Sequence, residues 1–137
     1  VHEVFSEKKL VELKVAHPDA VVAAHPECPE AVLQHADYIG STSGILAFAR
    51  GTSARQVIVV TEPGIIHQMQ KENPDMEFIP APGNDETCNC NECPYMKLNT
   101  LEKLYLCMRD RTPEITVDEA LARKALAPID RMLELSR

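Results

Sequence analysis

The sequence predicts an α/β protein with a parallel β-sheet flanked by helices in three layers, and three observations carry this prediction. Short β-prone apolar runs alternate with helical segments along residues 17–82, as in successive β-α-β units. The run Gln56–Val60 is apolar without alternation, which is typical of a strand buried on both faces. The chain has 137 residues, of which 45% are hydrophobic, and this is enough apolar material for a packed core.

Each strand is predicted from a short apolar or β-prone run: Ala20–Ala24, Tyr38–Gly40, Gln56–Val60 and Glu77–Ile79. Each of the first four helices is predicted from a start that carries a hydroxyl cap or a proline: Ser6, Pro29, Ser41 or Thr42, and Thr61. Strands that alternate with helices pair in parallel through crossover connections, so the whole sheet is predicted to be parallel.

The pattern changes after residue 82, where a loop leads into three closely spaced cysteines. An amphipathic helix with Asn99 in a capping pair is predicted after them. A capping box at Thr116 predicts a last helix, which Pro128 breaks or restarts. The predicted domain organisation has three parts: residues 1–16 as the end of a preceding domain, residues 17–82 as the α/β domain, and residues 83–137 as the cysteine loop with the C-terminal helices.

Composition excludes several classes of function. The net charge of −7 argues against a nucleic-acid groove, which needs a basic face, and the 4% aromatic content argues against base-stacking platforms. No apolar run is long enough for a membrane helix, and no signal peptide is recognised. Five cysteines are too few for a disulfide-stapled miniprotein. Because Val1 is not a methionine, we expect a truncated start or part of a longer chain.

Polar side chains follow three of the predicted strands, in the segments His25–Cys28, Gly40–Gly44 and Thr61–Gly64. Strand ends at one edge of a parallel sheet form ligand clefts. After the first strand, His25 and Glu27 flank Pro26, which fixes the turn between them. A histidine and a carboxylate on one turn can transfer protons or hold an anionic substrate. The alternative is that Glu27 only favours the dipole of the following helix and that His25 is a solvated loop residue.

The segment Gly40–Gly44 (GSTSG) follows the second strand and opens a helix. Free backbone N–H groups and hydroxyls at a helix start can bind a phosphate or a carboxylate. The segment lacks the lysine of a nucleotide-binding phosphate loop, which argues against ATP or GTP. The alternative is an ordinary hydroxyl N-cap at Ser41 or Thr42.

Cys88, Cys90 and Cys93 form the most specific cluster, because three cysteines in six residues suggest a zinc or iron–sulfur site. Such sites normally use four ligands or keep an open position, and Cys28 could approach in space, whereas Cys107 is expected to pack within its helix. The alternative is a redox-labile loop with a Cys88–Cys93 or Cys90–Cys93 disulfide.

Four motifs together resemble the quinolinate synthase family, over essentially the whole chain: Val1-His-Glu, His25-Pro-Glu-Cys-Pro, Gly40-Ser-Thr-Ser and Cys93-Pro-Tyr-Met-Lys-Leu-Asn-Thr-Leu. The resemblance implies three similar α/β domains, of which this chain holds one and a part. It also implies condensation of iminoaspartate with dihydroxyacetone phosphate to quinolinate, with loss of phosphate and two waters, for NAD synthesis in the cytoplasm or in plastids. A partner that supplies iminoaspartate, such as L-aspartate oxidase or aspartate dehydrogenase, is implied as well.

The resemblance further implies a 4Fe–4S cluster held by one cysteine from each domain, with one iron open to substrate. Carried onto this chain, Cys93 matches the third cluster ligand, and the other two ligands would lie upstream of Val1. The substrate-binding residues implied are His2, His25, Pro26, Glu27, Ser41 and Thr42, of which His25 and Glu27 are also the catalytic pair. Cys88 and Cys90 match a cysteine-rich approach that can form a redox disulfide. The competing hypothesis is a non-catalytic metal-binding or redox module that uses Cys88, Cys90 and Cys93.

Overall fold

The computed structural model describes residues 1–84 and 91–136, which form two compact units, Val1–Leu98 and Asn99–Arg137. The first unit contains a four-stranded sheet in the order β2-β1-β3-β4. Its strands are β1 Val21–Ala24, β2 Tyr38–Ile39, β3 Gln56–Val60 and β4 Glu77–Pro80. Every pair is parallel, which confirms the predicted fold class.

The strand bounds agree with the sequence prediction to within one residue. Strand β3 coincides with the predicted run, whereas β1 begins one residue later, β2 ends one residue earlier and β4 extends to Pro80. Strand β4 lies at the edge of the sheet, where a proline that cannot donate a hydrogen bond is tolerated.

The core lies on both faces of the sheet, and β3 contributes to each. Ile58 and Val60 pack in one apolar cluster with Leu10 and Val32. Val57 and Val59 pack in the other cluster, together with the following buried residues: Ala23, Ile45, Ala49, Met69 and Phe78. All four apolar residues of β3 have 0% exposure, which explains why this run shows no polar alternation.

Four helices accompany the sheet: α1 Glu7–Ala16, α2 Glu30–Leu33, α3 Thr42–Gly51 and α4 Ile65–Glu72. Ser6 and Ser41 are the N-caps of α1 and α3, and their hydroxyl oxygens accept from backbone N–H groups three residues on. Helix α4 starts at Ile65 rather than at Thr61. The reason is a turn in which the Glu62 carboxylate accepts the N–H of Gly64 at 2.7 Å.

The second unit consists of α5 Leu101–Asp110 and α6 Glu119–Leu135. Its N-caps differ from the predicted ones, because Thr100 rather than Asn99 caps α5 and Asp118 rather than Thr116 caps α6. The prediction that Pro128 breaks or restarts the last helix was wrong, since α6 runs through it. Strong helix formers on both sides of Pro128 explain why the missing N–H is tolerated. In the described part of the chain, no helix has the length and apolarity needed to cross a membrane.

Candidate active site

The candidate site lies at the carboxyl edge of the sheet, where β1, β2 and β3 all end. The backbone N–H of His25 donates to the carbonyl of Val60 at 3.0 Å. The N–H of Gly40 donates to the carbonyl of Ala24 at 3.0 Å. These bonds hold the segments that follow β1 and β2 side by side, so the predicted site segments share one sheet edge.

His2 makes the closest contacts of this site. Its Nδ1 lies 2.9 Å from Oε2 of Glu27, and its Nε2 lies 3.0 Å from the hydroxyl oxygen of Thr61. Its ring stacks on His25, with ring centroids 3.9 Å apart and planes 7° from parallel. An ionised carboxylate can only accept a hydrogen bond, so we assign the proton of this contact to Nδ1 of His2.

His25 and Glu27 belong to one tight turn around Pro26. The backbone N–H of Glu27 donates to Nδ1 of His25 at 3.3 Å, which leaves the proton of the neutral His25 ring on Nε2. Burial lowers the pKa of His25, and the neighbouring His2 lowers it further, while Glu27 opposes both effects. The hydrogen bond from His2 and the charge of His25 lower the pKa of Glu27. At neutral pH the turn therefore presents a neutral imidazole beside an ionised carboxylate.

We expect His25 in the whole protein to titrate below the ordinary histidine pKa of 6.5, because its charged form loses hydration next to a second imidazole. The chemical shift of the His25 C2 proton, followed by NMR as a function of pH, measures this pKa. Two variants separate the causes, since His2→Gln should raise the midpoint and Glu27→Gln should lower it. A midpoint at or above 6.5 in the unsubstituted protein would contradict the prediction.

His2, His25 and Glu27 could be taken for a metal site, because their donor atoms all lie within 4.8 Å of one another. The ring geometry argues against this interpretation. An imidazole binds a metal along a lone pair in its ring plane, at about 2.0–2.1 Å for zinc. Two stacked, nearly parallel rings cannot both point such lone pairs at one ion. The cluster is better described as a hydrogen-bonded group.

Ser41 and Thr42 lie on the neighbouring segment, at the start of α3. The hydroxyl oxygen of Ser41 accepts the N–H of Gly44 at 3.2 Å, so Ser41 is the hydroxyl N-cap that the sequence offered as an alternative. Its O–H remains a donor, and the first-turn N–H groups of α3 add the positive end of a helix dipole. The structure thus brings His2, His25 and Glu27 into direct contact and places Ser41 and Thr42 on the adjacent segment of the same edge.

Gly40 makes room for the ring of Tyr38, a residue that the sequence analysis did not consider for the site. A Cβ built on Gly40 would lie 2.6 Å from the Tyr38 hydroxyl oxygen and 2.7 Å from Cε1. The Tyr38 ring is stacked on Phe48 with centroids 4.7 Å apart, so it cannot withdraw without losing that contact. Gly40 is required here for space, since its φ is not positive.

We expect Gly40→Ala to lower the free energy of unfolding by about 1–3 kcal/mol, the usual cost of overpacking. Urea unfolding followed by circular dichroism measures the change. Gly51→Ala is the matched control, because nothing lies within 4 Å of the added Cβ at the end of α3. Equal effects of the two substitutions would contradict the steric explanation.

Cys93 is a half-buried, free thiol whose segment is held at the same sheet edge. Its backbone N–H donates to Oε1 of Glu62 at 3.4 Å, and Glu62 follows Thr61 directly after β3. Two residues earlier, the Asn91 side chain donates to the carbonyl of Val1, next to His2. Thr61 and Glu62 thus lie between His2 and Cys93. Cys88 and Cys90, which the sequence groups with Cys93 as a metal cluster or as partners in a redox disulfide, lie outside the described residues.

The two remaining cysteines differ from Cys93 in their surroundings. Cys28 is buried, and its thiol donates to the carbonyl of Val60 at 3.6 Å. Burial raises the pKa of Cys28 to about 11, so without a metal bound this thiol stays protonated at neutral pH. Cys107, expected to pack within its helix, is exposed on α5.

Comparisons with known proteins give a consistent result. The family model described as "Quinolinate synthetase A protein" matches residues 1–134. The chain is 65% identical over 136 residues to "Quinolinate synthase" of Microcystis aeruginosa, and 62% identical over 136 residues to that of Thermosynechococcus vestitus. It is 61% identical over 137 residues to that of Chloroherpeton thalassium. These alignments cover 99%, 99% and 100% of this chain but only 42%, 43% and 42% of the three relatives. The chain therefore spans less than half the length of the curated relatives it matches.

Proposed function

The chain belongs to the quinolinate synthase family, and from this we propose that it is part of an enzyme that condenses iminoaspartate with dihydroxyacetone phosphate to quinolinate. Quinolinate then enters de novo NAD synthesis, which we place in the cytoplasm. The observation that carries the proposal is the contact of His2, His25 and Glu27 at the carboxyl edge of the sheet, beside the start of α3. This edge is where parallel α/β sheets bind small ligands.

Both proposed substrates are anions, and the start of α3 offers groups that bind anions. The O–H of Ser41, the hydroxyl of Thr42 and the first-turn N–H groups can donate to a carboxylate or a phosphate. On the neighbouring segment, Pro26 holds His25 and Glu27 on one turn. Substrate carboxylates would therefore lie nearer to α3 than to the ionised Glu27, which would repel them.

The two residues of the turn, His25 and Glu27, would have different roles in catalysis. A carboxylate with a lowered pKa is a weak proton donor at neutral pH, so Glu27 would accept hydrogen bonds from the substrate and orient it. His25 is neutral and has its proton on Nε2, and a neutral imidazole is too weak an acid to give this proton up. It would therefore donate a hydrogen bond from Nε2–H to a leaving oxygen and stabilise the negative charge that develops there. His2 would fix the position of Glu27 through its Nδ1–H.

Cys93 fits one ligand position of a 4Fe–4S cluster, because its thiol is free and half-buried near the site, on a segment whose backbone N–H is held by Glu62. The other two cysteine ligands would come from the part of the whole protein upstream of Val1. When bound, such a cluster supplies Lewis-acid chemistry at an iron that no protein ligand occupies.

An assay of the whole protein tests the proposal. The protein is purified without oxygen and incubated with dihydroxyacetone phosphate and iminoaspartate, the latter generated in place by an L-aspartate oxidase. We expect quinolinate to form and phosphate to be released in equal amounts. Iron-loaded protein that releases neither product would overturn the proposed function and would favour the metal-binding or redox module.

A further inference from the structure

Thr61 is the buried polar residue of the candidate site. Within the ranges 1–84 and 91–136 it is the one polar or charged residue that is buried, with 2% exposure. It follows directly after β3, the strand that lies between β1 and β4. A buried hydroxyl needs a hydrogen-bond partner, and that of Thr61 lies 3.0 Å from Nε2 of His2.

The two partners of His2 define where its proton lies. Glu27 accepts a hydrogen bond from the Nδ1–H of His2, so in the neutral ring Nε2 carries the lone pair. The O–H of Thr61 donates to this lone pair. With Nε2 engaged in this way, the ring cannot rotate about its Cβ–Cγ bond without losing two hydrogen bonds. The same two bonds keep the ring parallel to His25.

We propose that Thr61 is a positioning residue, whose hydroxyl holds the His2 ring in one orientation, with the Nδ1 proton directed at Glu27. The consequence for substrate binding rests on the function proposed above. If His2 holds the exposed Glu27 carboxylate in place, then Thr61 acts on substrate through His2 and Glu27 and does not touch it.

The test compares Thr61→Val with Thr61→Ser in the whole protein. Valine replaces the hydroxyl by a methyl group of similar size, so Nε2 loses its donor, whereas serine keeps the hydroxyl and loses only the methyl group. Ring ¹⁵N spectra of His2, assigned by their loss in His2→Gln, report the protonation of each ring nitrogen and the hydrogen bond at Nε2 without any need for activity. Thr52→Val is the matched control, because the Thr52 hydroxyl oxygen accepts from the N–H of Ala54 at the opposite end of α3.

We expect Nδ1 of His2 to stay protonated in all three proteins, because the Glu27 carboxylate accepts from it. We expect the ¹⁵N signal of Nε2 to move in Thr61→Val to that of a lone pair without a hydrogen bond, and to stay in place in Thr61→Ser. We expect Thr61→Val to raise KM about tenfold while kcat changes much less, as for the loss of one binding hydrogen bond. Thr61→Ser should return KM to within about twofold, and Thr52→Val should leave both quantities unchanged.

An Nε2 signal and a KM that Thr61→Val leaves unaltered would overturn the proposal, as would a Thr61→Ser variant that behaves like Thr61→Val. If Thr61→Val does not fold, Thr61→Ala removes the hydroxyl without placing a methyl group against Nε2 and carries the same comparison. A whole protein that forms no quinolinate would contradict the proposed function alone, because the ¹⁵N spectra still decide the role of Thr61.

Discussion

Cys93→Ser in the whole protein is expected to abolish the visible absorbance of an iron–sulfur cluster and the quinolinate-forming activity with it. A serine oxygen is a harder and more weakly binding ligand for iron than a thiolate. With Cys93 as one of only three protein ligands, its loss leaves two, which are too few to retain the cluster. Absorbance spectra and iron content of protein purified without oxygen measure the effect.

The control for this experiment is Cys107→Ser, because Cys107 is an exposed free thiol on α5. We expect it to leave the absorbance unchanged, and we expect Cys88→Ser and Cys90→Ser each to leave it largely intact. If Cys93 is the one cluster ligand in this chain, as we propose, the 137 residues alone should not hold a stable cluster. If Cys88→Ser removes the absorbance as completely as Cys93→Ser, the cysteine loop is a self-contained metal site and Cys93 is not the sole local ligand.

The sheet could be predicted because its local signals agree with its burial. The run Gln56–Val60 has no polar residue after Gln56, and the structure buries this strand on both faces between two apolar clusters. The N-caps of the two C-terminal helices, α5 and α6, were harder to predict. Several residues before each helix can accept a hydrogen bond from a first-turn N–H. Thr100 and Asp118 stand next to the start of their helices, whereas Asn99 and Thr116 lie farther away.

The sheet topology predicted which segments share an edge, but direct side-chain contacts in the site were predictable only between residues close in sequence. His25 and Glu27 share a turn, so their proximity follows from the chain itself. The bond between His2 and Thr61 joins residues 59 positions apart, and only the family resemblance indicated that His2 lines the cavity. Thr61 and Glu62 were recognised as polar residues at a strand end, but a threonine before a helical segment also resembles a cap. The structure shows that Thr61 is not the cap, because α4 begins at Ile65 and its N-cap is Gly64.

Glu27→Gln is expected to lower kcat of the whole protein by about 100-fold, within the range for residues that orient substrate or move protons. Glutamine keeps the size of the side chain, but it removes the charge that attracts the Nδ1–H of His2. The pKa of Glu27 lies below the ordinary value of 4.5, so its carboxylate stays ionised between pH 5 and pH 6. Protonation of Glu27 should therefore cause no loss of activity in this pH range. Steady-state rates measured across this pH range test both statements.

Glu30→Gln is the matched control, because Glu30 is an exposed acidic residue in the first turn of α2, three positions after Glu27. If Glu27 only favours the dipole of α2, both substitutions should cost less than about 1 kcal/mol of stability and leave kcat unchanged. If Glu27 orients substrate, only Glu27→Gln should lower kcat, and Glu27→Asp should recover part of it by restoring the charge at a shorter reach. Equal rates for Glu27→Gln and Glu30→Gln would remove Glu27 from the catalytic site.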